Sequence, residues 1–360
     1  MAETPCILVL GSRLQSEGYP RNRELIEAMV DAGWEMRWCA LSYPAFYHRL
    51  NLPSRLAFIV VFTPLRWLYS LVTGIVQRLR GPISHVYVPF PAMLDLPPAW
   101  LIARLFGAKL VADVFLSIYN TIVQDRQLVS RRSLAARALF HTEKLLLRLP
   151  DTGLIDTREH QSLLEALFGS RTIRFAVVPI AIDEKQFTFE PPAQSDKVVF
   201  WGTYIKLHGV ETIVRTAALL DRRASRIRFE MIGKGQELHR ARQLAAELSV
   251  KNIDFIDEIL PMEAVIERAR FAFAALGIFG DTKKSATVFP YKAIQALALG
   301  LPLVTARTPA TQRLLVDERD ALLVPPGEAE KLANNTIGVR SCYLHLSLLT
   351  FKNFDSIARL

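Results

Sequence analysis

The strongest constraint on the fold is an alternation of short apolar runs with longer helix-periodic runs, sustained along the chain. Cys6–Leu10 is apolar and closes on Gly11. Arg23–Ala32 places Leu25, Ile26, Met29 and Val30 at helical spacing, with Gly33 as its stop, and residues 35–41 read as a second strand. This is a βαβ opening. The pattern continues with strands over residues 85–88, 109–114, 153–156 and 176–179, and helices over 97–106, 131–147 and 159–168. A Pro-rich polar stretch, TFEPPAQSDK, then breaks the rhythm and marks a domain boundary. Beyond it the same grammar restarts, with strands over 198–201, 228–232, 253–256, 271–276, 302–305 and 321–324. Helices over 210–220, 237–248, 262–269 and 291–299 separate them. Strands alternating with helices twice over predict an α/β protein with two parallel-sheet domains, 1–190 and 191–360. Ligands in such folds sit at the carboxyl ends of strands, and two domains facing each other form a natural cleft.

A chain of 360 residues is too long for one ordinary α/β domain, and 51% hydrophobic residues supply two cores rather than a disordered chain. The three cysteines, Cys6, Cys39 and Cys342, are too scattered for a disulfide framework or a zinc site, which fits a reducing, cytoplasmic setting. The opening MAETPCILVLG has neither a basic n-region nor a small-residue cleavage site, which argues against a secretory signal. A net charge of +9 suits phosphorylated substrates or an anionic membrane surface, or is simply solvated surface. No helix-turn-helix, RNP motif or zinc-finger spacing supports a nucleic-acid partner. GSRLQSEG lacks the G-x-G-x-x-G that a nicotinamide enzyme needs after its first strand. No metal-ligand cluster and no G-x-S-x-G elbow occur.

Residues 56–80 are the most apolar stretch, interrupted by Pro64 and Arg66. After Pro64 the apolar positions follow helical spacing and end at Arg78 and Arg80. A helix lying on a membrane face and a helix packed on the sheet explain this equally well, and a full membrane span is disfavoured.

The second half carries ordered motifs: VVPIAID followed by Phe187, FWGTYIKLHGVETI, FEMIGKGQE, LGIFGDTKKSATVFPYKAIQALALGLPLVT and ALLVPPGE. In this order and spacing they resemble the glycosyl transferase group 1 type, retaining glycosyltransferases of GT-B architecture with two Rossmann-like domains around a central cleft. The resemblance implies sugar transfer from a nucleotide-sugar donor, with retention and without a metal or other cofactor. The basic charge and the 56–80 helix point to a glycan or glycolipid acceptor, with a soluble acceptor as the alternative, and to a protein that is cytoplasmic or peripheral on the inner membrane face. By the match to the donor segment, the loop 277–287 (Gly280, Asp281 and Thr282 among it) and Lys292 should face the donor, and Gln295 its ribose. Asp281 and Thr282 alternatively cap the loop. Lys206, Lys292 and the Gly202 amide are candidates to stabilise the leaving diphosphate, and Gly233 belongs to the adjacent Gly-x-Gly turn. The acceptor would approach near Gly18, Tyr19 and Asp113.

The departures from the family pattern are specific. Thr287 and Gln295 stand where the family usually has two glutamates, and Thr203 and His208 stand in place of its phosphate-loop Arg and Lys. Phe115 takes the position of a sugar-facing histidine, with Asp113 two residues earlier either as a substitute polar group or as a strand-end cap. The tail from about Asn334 is atypical of the family. These departures keep open a non-catalytic relative, and a sugar-nucleotide epimerase on the same architecture is the other alternative.

Overall fold

The computed structural model describes residues 5–11, 20–39, 41, 51–183, 185–189 and 195–339. The chain divides into two units. Unit 1 comprises Met1–Asp156 and Gln161–Pro179, and unit 2 comprises Thr157–His160 and Ile180–Leu360. The change of unit at Pro179 precedes the Pro-rich stretch from which the boundary at 190 was read. The chain leaves unit 1 as soon as its last strand ends.

Unit 1 holds a six-stranded sheet built from β1 (Cys6–Leu10), β2 (Glu35–Cys39), β3 (His85–Val88), β4 (Lys109–Asp113), β5 (Thr152–Ile155) and β6 (Phe175–Val177), in the order β2-β1-β3-β4-β5-β6. All its pairings are parallel. A parallel sheet must be covered on both faces, which is why β1 is buried along its whole length. Leu8, Leu10, Val86 and Val88 enter one core, and Ile7, Val9 and Tyr87 the other. The alternation follows the two-residue period of a strand. The helices of this unit include α1 (Arg21–Asp31), α2 (Leu52–Leu79), α3 (Leu96–Phe106), α4 (Leu134–Leu146) and α5 (Arg158–Phe168), whose first three residues are assigned to unit 2.

Unit 2 repeats the plan with β7 (Lys197–Trp201), β8 (Arg228–Ile232), β9 (Ile253–Ile256), β10 (Ala274–Leu276), β11 (Leu303–Ala306) and β12 (Leu322–Val324). Their order is β12-β11-β10-β7-β8-β9, again parallel throughout. Its helices include α6 (Val210–Arg222), α7 (Leu238–Glu247), α8 (Met262–Arg270), α9 (Tyr291–Ala298) and α10 (Pro309–Leu314).

Three local differences from the sequence expectation have physical causes. Helix α2 runs straight through Pro64. Proline leaves the carbonyl four residues earlier without its helical donor, and here that residue, Val60, lies on the exposed side. Helix α10 was not anticipated, although Thr308 before Pro309 is a start signal. The Thr308 hydroxyl accepts from the Thr311 amide at 3.2 Å, and the Thr311 hydroxyl accepts from the Thr308 amide at 2.9 Å. Residues 329–339 are helical and send Leu332, Ala333 and Val339 into the second core. The part of the tail from 334 to 339 is therefore ordinary helix, and the rest lies outside the described residues.

Candidate functional site

In unit 2 the strand order reverses between β7 and β10, so the crevice at their carboxyl ends is the place where this topology binds ligands. The loops leaving these two strands are knitted together by their backbones. The Phe279 amide donates to the His208 carbonyl at 3.1 Å, and the Gly280 amide to the Leu207 carbonyl at 3.2 Å.

Lys292, the second residue of α9, sends its side chain beneath this junction. The residue is only 5% exposed. Its Nζ sits 3.8 Å from the centroid of the Phe200 ring. A Cβ added at Gly202 would lie 2.9 Å from that nitrogen, so the backbone at the end of β7 passes directly against it. The Nζ has no hydrogen-bond partner among the described residues. An amine in that condition is held well below the ordinary lysine range by loss of hydration. His208 beside it is also held well below its ordinary value, first by burial and then by the charge of Lys292, with the Thr203 carbonyl that accepts from its Nδ1 opposing. Helix α9 begins after Pro290 without a side-chain cap, so the positive end of its dipole is not neutralised by its own N-cap.

The remaining candidates in unit 2 divide sharply. The Gly202 amide, expected to hold phosphate, donates instead to the Ile232 carbonyl at 3.0 Å and continues the β7–β8 ladder. Gly202 contributes its missing side chain rather than its N–H. Gly233 is packed on it, since a Cβ there would fall 2.0 Å from the Gly202 carbonyl oxygen at a φ of +137°. Gly233→Ala is accordingly expected to lower stability by at least about 1–3 kcal/mol, measurable by urea denaturation. Gln295 is buried, and its Oε1 accepts from the Trp201 indole at 2.9 Å, leaving the Nε2 amide as the group it can offer a ribose. The Thr287 hydroxyl donates to the Lys284 carbonyl at 2.9 Å. Thr282 caps its loop, accepting from the Ser285 amide at 3.1 Å, while the Ser285 hydroxyl donates to the Gly280 carbonyl at 2.7 Å. Asp281, Thr203 and the side chain of Lys206 are exposed.

In unit 1, Asp113 ends β4 and is enclosed. The Arg21 Nε donates to its two carboxylate oxygens at 3.1 and 3.0 Å, and Arg21 Nη1 donates to the Val178 carbonyl at 2.9 Å. The guanidinium lies 5.2 Å from the centroid of the Phe115 ring. Burial pushes the Asp113 carboxyl up to about 6, with Arg21 pulling it down and Asp156 adding to the rise. The Asp113 side chain has no exposed surface, so its first role is to anchor α1 through Arg21. Gly18 and Tyr19 lie outside the described residues. The sequence reading missed Arg21. Its signal is electrostatic: a cation in the first turn of a helix opposes the macrodipole and needs another reason to be there. The Phe200 ring under Lys292 carried no signal beyond a strand-end aromatic.

The family model described as Glycosyl transferases group 1 matches residues 195–340, which span the whole sheet of unit 2. No curated protein sequence gives a significant match. Among solved structures, sucrose-phosphate synthase from Thermosynechococcus elongatus is 16% identical with a TM-score of 0.68, over 98% of this chain and 94% of that one. HepE of Anabaena in complex with UDP-glucose is 12% identical with a TM-score of 0.67, over 98% and 94%. The OtsA apo structure is 12% identical with a TM-score of 0.60, over 99% and 98%. At such identities these likenesses carry the fold, and both six-stranded parallel sheets agree with the expected GT-B architecture.

Proposed function

We propose, on the premise that residues 195–340 are a domain of the glycosyl transferases group 1 family, that this glycosyltransferase moves a sugar from a nucleoside-diphosphate sugar to a glycan or glycolipid acceptor. Retention of configuration and independence of metal are part of the same reading and come from the sequence resemblance. The observation that carries it is Lys292: a buried amine without a hydrogen-bond partner among the described residues, at the β7/β10 switch point, on the first turn of a helix with no side-chain cap. Such a group is costly unless something anionic meets it. A diphosphate supplies that anion, and its charge grows as the glycosidic bond to the leaving nucleotide breaks. A fixed ammonium and a helix N-terminus stabilise this growing charge more than they stabilise the ground state, which is the requirement for catalysis. His208, held neutral, adds no competing positive charge and can donate or accept at the same junction.

The test is calorimetric titration with UDP, GDP, ADP and dTDP. UDP comes first, since HepE is described with UDP-glucose and pneumococcal GtfA with UDP and GlcNAc. Micromolar binding of one nucleotide is expected. A folded sample that binds none favours the second reading, a non-catalytic relative. That reading draws on the commitment of the Thr287 hydroxyl and the Gln295 oxygen to the protein's own groups.

A further inference from the structure

Helix α2 is amphipathic in the reverse sense of a surface helix. Its inward face is the polar one. Arg66 and Ser70 are 2% and 4% exposed, and Arg66 Nη2 pairs with Asp95 at 2.8 Å. On the same side the Thr73 hydroxyl meets the Cys39 thiol at 2.8 Å, and the Gln77 carbonyl accepts from Arg37 Nη1 at 2.9 Å. The outward face is aliphatic. Val61, Leu65, Leu68, Val72, Ile75 and Leu79 recur at three- and four-residue spacing, and the first and last are 77% and 82% exposed. This stripe runs about 27 Å at 1.5 Å per residue. Helix α3 packs against α2, with Gly74 letting Ile102 approach closely, and its own exposed Leu101 and Leu105 add to the apolar surface of unit 1. Monomeric soluble proteins rarely leave so continuous an apolar surface uncovered.

The charges decide what covers it. Neither α2 nor α3 contains an aspartate or glutamate. The exposed stripe ends at Arg78 and Arg80, both at the surface. A second copy placed on this face would find no carboxylate on either helix and would bring arginines toward arginines. An anionic bilayer offers what both parts lack, acyl chains for the stripe and headgroup phosphates for the arginines. Although α2 is long and apolar enough to cross a membrane by length and composition, its polar face is fixed to β2 and to the turn before α3. Trp67 Nε1 donates to the Leu94 carbonyl at 2.8 Å, and Arg37 Nη1 also reaches the Gly81 carbonyl at 3.0 Å. The helix can therefore lie on a bilayer without leaving its unit. We propose that the outer face of α2 and α3 docks unit 1 on an anionic lipid bilayer. The surface lies in unit 1 and the Lys292 site in unit 2, so either proposal can fail without the other.

The experiment is sedimentation of the full chain with vesicles of phosphatidylcholine alone or mixed with phosphatidylglycerol, beside Leu68→Gln/Val72→Gln and Arg78→Glu/Arg80→Glu. The wild type is expected to pellet with the mixed vesicles and weakly with the neutral ones. Each double variant should lose at least about tenfold in vesicle affinity. All four positions are exposed, so the melting temperature and nucleotide affinity should not change. Wild-type protein that stays in the supernatant with both vesicle types would overturn the proposal, as would variants that bind like wild type. A wild type that is dimeric by light scattering, with Leu68→Gln/Val72→Gln monomeric, would assign the face to a second copy instead.

Discussion

Lys292→Met is expected to lose nucleotide binding and to melt higher than the wild type. The two effects have one cause. The Nζ is buried without a hydrogen-bond partner among the described residues and is held well below the ordinary lysine range by lost hydration. A base whose folded value is depressed binds more protons when unfolded, so it lowers stability at neutral pH, and stability rises with pH toward the ordinary lysine value. Methionine fills a similar volume with no group to hydrate, though it gives up the 3.8 Å cation–π contact with Phe200. The gain in melting temperature should therefore be largest near neutral pH and shrink as the solution becomes alkaline. On the binding side, a charge-assisted hydrogen bond contributes about 1.5–3 kcal/mol, or about 10- to 100-fold in affinity for the diphosphate. The loss in transfer rate should be larger, about 100- to 1,000-fold, because the leaving group gains charge in the transition state. Titration calorimetry and thermal melts on the same samples check both. A variant that melts lower and still binds nucleotide would make Lys292 a packing residue.

How much of this was readable beforehand depended on what kind of interaction fixed each feature. The two α/β units were legible because a parallel sheet, buried on both faces, writes near-continuous apolar runs such as Cys6–Leu10 and Val198–Trp201. Lys292 was singled out because its position in the donor segment matches the family pattern. The role of Gly202 was misjudged because ladder register is a long-range property: nothing near Gly202 in sequence announces that its amide belongs to Ile232. The same holds for Asp113, whose partner Arg21 is 92 residues away. The two readings of the 56–80 stretch could not be separated from periodicity alone. The apolar stripe fixes the axis of the helix's amphipathicity, and only the partners of Arg66, Thr73 and Gln77 reveal that the polar side faces inward.

Arg21→Met should carry the largest loss of stability, and the loss should depend on pH. Removing one member of a buried pair leaves the other charge without compensation, at a cost of about 3–5 kcal/mol. In the wild type the folded Asp113 carboxyl already lies at about 6, above its ordinary value, with burial as the main cause and Arg21 the main restraint. An acid whose folded value is raised binds more protons when folded, so stability falls as pH rises between the ordinary carboxylate range and that value. Without Arg21 the folded value moves higher still, and both the depth and the upper limit of that window increase. The difference in melting temperature between wild type and variant should therefore be widest near about pH 7.5 and narrow toward about pH 5, where the stranded carboxylate can take a proton. Part of the loss will not follow pH, because Arg21 also holds the Val178 carbonyl and stacks on Phe115. The double variant Arg21→Met/Asp113→Asn separates the two parts. It removes the stranded charge, so it should recover the pH-dependent share and retain the constant one. A loss in Arg21→Met that is uniform across this pH range would mean that removing Arg21 does not raise the folded value of Asp113 any further, and that Arg21 serves α1 through packing and the Val178 carbonyl alone.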